Sequence, residues 1–160
     1  MSAFIKKILT AISGSESSIN GAKYAIMLAK TYKCELSVIY VVDTSTLKEL
    51  LISKIFIEEE SNLFEKNLES NGERYLQYIE ELAHSKGVKI NKIFKKGGVP
   101  TKILETAEEI DADLIILGGW QENRSKKDLI NKAHLDILYD SGKSVIIVKD
   151  HDIDIRFKRF

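Results

Sequence analysis

Short apolar runs alternate with amphipathic stretches along this chain, and the alternation predicts its secondary structure. Five runs are rich in Ile, Leu and Val and are bounded by turn residues, which is typical of strands. They cover residues 5–12, 36–42, 88–94, 113–117 and 144–148. The run at 36–42 is nearly continuous in apolar residues, which indicates a strand buried on both faces of a parallel sheet.

The stretches between these runs carry apolar residues at helical spacing. Ile19, Ala22, Ile26 and Ala29 form one such stripe, and others lie in the second half of 44–86, after Pro100 and over 128–139. Strands that alternate with helices of this length predict an α/β fold. We expect a single-domain, Rossmann-like, open five-stranded parallel sheet with helices on both faces.

Residues 46–57 fall outside the alternation because they are rich in Leu, Ile and Phe and carry few charges. The favoured interpretation is one or two extra helical turns folded against the domain. The alternative is a lid or a surface for a partner.

The C-terminal residues also fall outside the alternation of strands and helices. From Asp152 to Lys158 polar and apolar residues alternate, which is typical of a strand with one buried face. Ile153, Ile155 and Phe157 are expected to share that face. We therefore predict an α/β domain over residues 1–150 and a strand-like extension over 151–160 that docks on the domain or on a neighbouring subunit.

Composition argues against several classes of partner. Lys plus Arg and Asp plus Glu both number 24, so no net charge attracts nucleic acid or an anionic membrane. Cys34 is the only cysteine, and the three histidines show no metal-ligand spacing. The longest apolar run, residues 38–42, is too short to span a bilayer. We expect a cytoplasmic protein with no metal site.

Several motifs stand together at the spacing of a known family. The stretch 6–16 has a basic pair, an apolar strand and then Ser-Gly-Ser-Glu, where the family usually has Asp-Gly-Ser-Glu. Further matches are Gly98, Pro100, Ile103, Ala107, Asp113, Leu114, Ile115 and Gly118. From residue 6 to 148 the chain resembles the universal stress proteins, the UspA-like family.

The resemblance implies a homodimer that is commonly paired through the last strand. Here that strand carries Val145, Ile146, Ile147 and Val148. Its edge would be long and uncharged, and natural proteins rarely leave such an edge bare. The resemblance and the sheet edge therefore predict the same pairing.

Many members of this family bind ATP through a motif of glycine, two residues, glycine, nine residues, then glycine and a serine or threonine. On this chain the four positions are Gly118, Gln121, Asn131 and Lys132, and Ser13 stands where a carboxylate usually ends the first strand. Motif glycines let backbone N–H groups approach phosphate oxygens, and the side chains of Gln121 and Asn131 would occupy that space. We therefore predict a degenerate nucleotide site and no bound cofactor.

The residues of this predicted cleft lie at the carboxyl ends of the strands and at the start of the helix after the fourth strand. They are Ala11, Ser13, Val41, Leu117, Gly118, Gly119, Gln121, Asn131, Lys132 and Ala133.

An ATP-binding, slowly hydrolysing switch is the alternative. Arg124, Lys126, Lys127 and Lys132 offer charge that could hold an anion where backbone contact is lost, although most polar loops are simply solvated. Trp120 lies at the predicted mouth of the cleft, where packing is favoured over ligand contact. No nucleophile, base and orienting group come together in this sequence. We therefore expect a non-enzymatic protein that acts in the stress response by binding an unidentified protein or small molecule.

Overall fold

A computed structural model of the chain describes residues 3–119 and 127–160, without the side chains of 127–133. Each of the five predicted strands has a counterpart within a few residues. They are β1 (Lys7–Ile12), β2 (Glu35–Asp43), β3 (Ile90–Gly97), β4 (Leu114–Gly118) and β5 (Ser144–Val148).

Six helices are present in the described ranges. They are α1 (Glu16–Tyr32), α2 (Thr44–Ile52), α3 (Glu58–Ser85), α4 (Val99–Glu109), α5 (Lys127–Asp140) and α6 (Ile153–Arg159).

The five strands form one parallel sheet in the order β3-β2-β1-β4-β5. One face packs on α1, α3 and α6 through a cluster that includes Ile8, Ile26 and Ile79. The opposite face packs on α4 and α5 through a cluster that includes Ile103 and Ile137. The predicted open α/β sheet with helices on both faces is confirmed.

Asp113 joins the amino ends of β1 and β4. Its carboxylate accepts the backbone N–H of Lys6 at 2.8 Å and that of Lys7 at 3.0 Å. These two hydrogen bonds lower the pKa of Asp113, because they favour the ionised carboxylate. A residue that matches the family pattern thus has a structural role at the end of the sheet opposite the predicted cleft.

Helix α1 lies so close to β4 that two glycines are required between them. A Cβ on Gly118 would lie 2.1 Å from the carbonyl oxygen of Ser17. A Cβ on Gly21 would lie 2.8 Å from the backbone nitrogen of Gly118. Glycine at position 21 lowers the helix propensity of α1 relative to alanine, but it allows the backbone of α1 to contact the backbone of β4.

Of residues 46–57, those up to Ile52 are helical and belong to α2, which begins after Asp43, whereas residues 53–57 form the turn into α3. The Asp43 carboxylate accepts the backbone N–H of Thr46 at 3.0 Å, as expected of a helix N-cap. Within α2 only Leu47 is buried, so the helix rests on the domain along a narrow line.

The predicted strand in the C-terminal extension is wrong, because Ile153–Arg159 is helical. Ile153 and Phe157 are buried, whereas 54% of Ile155 is exposed. The alternating pattern failed because positions four apart share a face in a helix as well as in a strand. Ile153 and Phe157 pack into the cluster beneath α1.

Strand β5 is an edge of the sheet and pairs with β4 alone among the described elements. Val145, Ile146 and Ile147 are half-buried, and Val148 is buried. The predicted homodimer through this edge stays a prediction.

Candidate functional site

A cleft opens at the carboxyl ends of β1 and β4, where the chain passes from one half of the sheet to the other. Ligands in open α/β sheets bind at such a point. Five of the predicted cleft residues line it together, namely Ala11, Ser13, Val41, Leu117 and Gly118. Further lining residues are Ile12, Ser15, Ser17, Ser18, Ile39, Val99, Ile103, His134 and Ile137.

The inner part of the cleft is apolar. Val41 comes from β2, Val99 and Ile103 from α4, and Leu117 from β4. Leu117 and Ile103 are almost fully buried, so their side chains close the floor. This part of the cleft suits an apolar group better than a charged one.

Serines form the polar rim where β1 leads into α1. Ser15 is the N-cap of α1, and its hydroxyl accepts the backbone N–H of Ser18 at 3.1 Å. The Ser18 hydroxyl donates to the Ser15 carbonyl at 2.9 Å and accepts the backbone N–H of Ser13 at 3.1 Å. The hydroxyls of Ser13 and Ser17 each lie 3.3 Å from the Ser15 hydroxyl. The rim is a neutral network that caps the helix.

His134 enters the cleft from α5, and the sequence reasoning missed it. Its Nε2 lies 2.7 Å from the carbonyl oxygen of Gly118, which ties α5 to the end of β4. The scattered positions of the three histidines argue only against a metal site and give His134 no role. A usable signal was the spacing of His134 from Asn131, since residues three apart share a face of a helix.

Gly118 and Gly119 both have structural reasons to lack a side chain. The backbone of Ser17 fills the space beside Gly118, and a Cβ on Gly119 would lie 2.6 Å from the carbonyl oxygen of Val148. Close packing therefore accounts for these glycines without any ligand.

Several predicted residues fall where the structure gives no side-chain position. Trp120, Gln121, Arg124 and Lys126 lie outside the described residues. Lys127, Asn131, Lys132 and Ala133 belong to α5, but their side chains are outside the description. Their proposed roles stay predictions.

The described lining of the cleft contains neither a lysine or arginine nor a carboxylate, and His134 is its one titratable group. Across residues 3–119 and 127–160, no cluster of three or more His, Cys, Asp or Glu side chains is arranged to hold a metal ion. The described helices also include none that is long and apolar enough to cross a membrane. In the described lining of the cleft, phosphate would meet serine hydroxyls, His134 and backbone groups, but neither a lysine nor an arginine.

Comparison with known proteins matches this fold and cleft to one family. The sequence profile of the universal stress protein family matches residues 5–149. This chain belongs to the universal stress protein family. Universal stress protein MJ0531 of Methanocaldococcus jannaschii is 31% identical over 144 residues, which cover 90% of this chain and 82% of the relative.

Solved structures of universal stress proteins share the fold. The UspA protein of Lactobacillus plantarum superposes with a TM-score of 0.75 at 15% identity, covering 92% of this chain and 100% of that one. A universal stress protein of Archaeoglobus fulgidus in complex with dAMP superposes with a TM-score of 0.59 at 15% identity, over 92% of this chain and 100% of that one. At these identities the likeness establishes the fold alone.

Proposed function

We propose that this universal stress protein acts in the stress response by binding and conformation, without catalysis, and that its nucleotide cleft is degenerate. The observation that carries the proposal is the packing at Gly118. The single glycine kept from the ATP motif lies against the backbone of Ser17, so its presence needs no phosphate to explain it.

The electrostatics of the cleft support the same proposal. A triphosphate is held by charge-assisted hydrogen bonds, each worth about 1.5–3 kcal/mol. The loss of two such bonds shifts a micromolar dissociation constant to roughly millimolar, since each 1.4 kcal/mol is about tenfold. The described lining offers only serine hydroxyls and His134 in exchange.

Calorimetric titration with Mg-ATP tests the proposal. We expect a dissociation constant no tighter than about millimolar and no release of inorganic phosphate. A micromolar constant overturns the degenerate-site proposal. Trp120, the only tryptophan, provides a second readout, because its fluorescence should stay unchanged on addition of ATP.

A restored variant makes this test sharper. Gln121→Gly, Asn131→Gly and Lys132→Ser together return the family residues to the motif, and we expect ATP affinity to rise. Lys48→Ser is the matched control, because Lys48 is exposed on α2 and does not line the cleft. If the restored variant and the control bind ATP equally weakly, the replaced motif residues are not what weakens binding.

An ATP-binding switch is the second candidate. The amino end of α1 and its serine rim open on the cleft, and helix amino ends favour anions. The A. fulgidus protein holds dAMP in the same fold. Titration with dAMP separates the two candidates. The switch is favoured if the protein binds dAMP with a micromolar dissociation constant and a variant loses this binding when its basic loop residues are replaced. These residues are Arg124, Lys126, Lys127 and Lys132.

We also propose a homodimer through the free edge of β5. The strand carries no charge between Val145 and Val148, and its outer side lacks a described partner. Light scattering at micromolar concentration should give the mass of a dimer. A monomer at that concentration overturns this part of the proposal.

A further inference from the structure

The apolar part of the cleft has room for a single ring. The cleft offers a volume of about 140 Å³. Aliphatic cavities of roughly 150 Å³ bind benzene, so the available space matches one six-membered ring. The described walls are aliphatic too, and their side chains come from Ile39, Val41, Val99, Ile103, Leu117 and Ile137. A larger apolar group would extend out of this space.

These walls are already in place without a ligand. Ile39, Ile103 and Ile137 are at most 3% exposed, because they belong to the core between the sheet and the helices α4 and α5. Val41 and Val99 are only half-buried. A ring that covers these two valines would therefore remove apolar surface from water without a rearrangement of the core.

The serine rim can bind one hydroxyl group of a ligand. A hydroxyl has one proton to donate and two lone pairs that accept. The Ser15 hydroxyl already accepts the Ser18 N–H, so it has one lone pair left. Of its two contacts with the hydroxyls of Ser13 and Ser17, it accepts in one and donates in the other. The hydroxyl that receives the Ser15 proton keeps its own O–H for another acceptor, and a ligand hydroxyl can both accept this proton and donate its own.

The described rim offers little to an anion. Phosphate oxygens accept hydrogen bonds, and a phosphate group therefore needs several donors. The backbone N–H groups of Ser13 and Ser18 already donate to serine hydroxyls. His134 Nε2 donates to the Gly118 carbonyl, since a carbonyl oxygen only accepts. Glu16 in the first turn of α1 is exposed and forms no ion pair with a described residue, so its negative charge offsets the positive end of the helix dipole.

We propose that the cleft binds a small neutral alcohol that carries a single apolar ring. The ring lies against Val41 and Val99, and the hydroxyl group contacts the hydroxyls of Ser13 and Ser17. The volume of the cleft sets the size of the ring, and the single spare O–H of the rim selects a hydroxyl over a phosphate. This inference rests on the proposed degenerate nucleotide cleft, because it assigns to that same cleft a ligand without phosphate.

A titration with matched probes tests the class of ligand. Benzyl alcohol has the ring and the hydroxyl, benzyl phosphate has an anion in place of the hydroxyl, and toluene has the ring alone. Binding is followed through the backbone amide signals of the protein in NMR spectra. We expect benzyl alcohol to cause saturable shifts at Ser15, Ser18 and Gly118. Its affinity should exceed that of toluene and that of benzyl phosphate several-fold.

Val99→Phe tests whether the ring binds in the apolar part. The new side chain would fill space that the ligand ring needs, so the affinity for benzyl alcohol and for toluene should fall several-fold. Ile52→Phe is the matched control, because Ile52 is 73% exposed on α2 and does not line the cleft. Equal affinities of the two variants for benzyl alcohol overturn the inference.

A double variant, Ser13→Ala with Ser17→Ala, tests the hydroxyl contact and leaves the apolar walls unchanged. Each substitution removes a hydroxyl whose described partner is the hydroxyl of Ser15. The affinity for benzyl alcohol should fall several-fold, whereas that for toluene should not change. Ser53→Ala with Ser70→Ala is the matched control, since both serines are exposed and do not line the cleft. If the rim variant binds benzyl alcohol as tightly as this control, the serines do not hold the hydroxyl and the inference fails.

The outcomes separate this inference from the proposed function on which it rests. A micromolar dissociation constant for Mg-ATP overturns the degenerate cleft and this inference with it. If Mg-ATP binds no tighter than about millimolar and benzyl alcohol gives no saturable shifts, the degenerate cleft stands and the inference of a neutral alcohol fails. Benzyl phosphate that binds as tightly as benzyl alcohol also overturns the inference, because the cleft then accepts an anion.

Discussion

Helix α1 packs on β4 through bare backbone and on α6 through charged and aromatic side chains. Toward the sheet, Gly21 and Gly118 let the backbones of α1 and β4 touch. Toward α6, Lys23 is only 8% exposed and lies 2.7 Å from Asp154. Two cations approach the Phe157 ring, with Lys23 Nζ at 5.8 Å and Lys86 Nζ at 4.8 Å from its centroid.

Of these two contacts of α1, the one with β4 sets the shape of the cleft. Backbone contact at the two glycines is rigid and insensitive to pH, and it fixes the serine rim relative to the end of β4. The α6 contact relies on an ion pair, cation–π interactions and apolar burial, so solution conditions can weaken it. Four predictions test this contrast, from the largest expected effect to the smallest.

Gly118→Ala should have the largest effect on stability. The new methyl group would lie 2.1 Å from the Ser17 carbonyl oxygen, and α1 would have to move away from β4. We expect a loss of about 3 kcal/mol or more in the free energy of unfolding, measured by urea denaturation. Gly142→Ala is the control, since a Cβ there meets no atom within 4 Å. Equal stability of the two variants would show that the backbone contact is not needed.

Phe157→Ala should remove much of the α6 contact. Phe157 is only 5% exposed. Truncation of a buried Phe to Ala lowers the free energy of unfolding by about 3 kcal/mol. The loss cannot exceed the free energy with which α6 docks, because the helix can detach from an otherwise intact domain. Ile155→Ala is the control and should change stability by less than about 0.5 kcal/mol. Urea denaturation of both variants gives the comparison, and similar losses would show that burial of the Phe157 ring is not what holds α6 in place.

Gly21→Ala should lower stability although alanine favours helix. The propensity gain is about 1 kcal/mol, but the new methyl group would lie 2.8 Å from the Gly118 nitrogen and 3.1 Å from the Leu117 carbonyl carbon. We expect a net loss of about 1–2 kcal/mol, because overpacking outweighs propensity. Thermal and urea denaturation measure it. A more stable variant would mean that α1 can shift at little cost.

The smallest effect is a pH dependence in the α6 contact. The hydrogen bond from Lys23, followed by that from Lys158, lowers the pKa of Asp154 below its ordinary value of 3.8. A lowered pKa in the folded state means that the carboxylate stabilises the fold fully above pH 3.8 and loses this contribution as pH falls through the folded value. Asp154→Asn should therefore be less stable than the parent at neutral pH, and the difference should shrink below pH 3.8. Urea denaturation across this range checks the sign, and a difference independent of pH would exclude the ionised carboxylate as its cause.

Much of the fold was predictable because burial imposes a period on the sequence. The apolar residues of β2 and β4 and the stripe from Ile19 to Ala29 were enough to predict the strands, the helices and the parallel sheet. Ala11, Ser13, Val41, Leu117 and Gly118 were also predicted to lie together, and the structure brings them to one cleft. The contact of His134 with the Gly118 carbonyl carries no mark in the sequence, and only the helical spacing of His134 from Asn131 placed it near the cleft.

By itself the sequence determined the alternation of strands and helices, the parallel sheet and the family, since local periodicity and motif spacing are properties of the chain alone. Only the tertiary structure decided what Gly118 is for and what the C-terminal extension becomes. The role of Gly118 depends on Ser17, which is distant along the chain and reaches β4 only when α1 packs there. Over seven residues the spacing of Ile153 and Phe157 suits a strand and a helix equally. The choice follows from contacts made elsewhere in the fold, where Lys23 on α1 binds Asp154 and the groove beneath α1 buries the two apolar side chains.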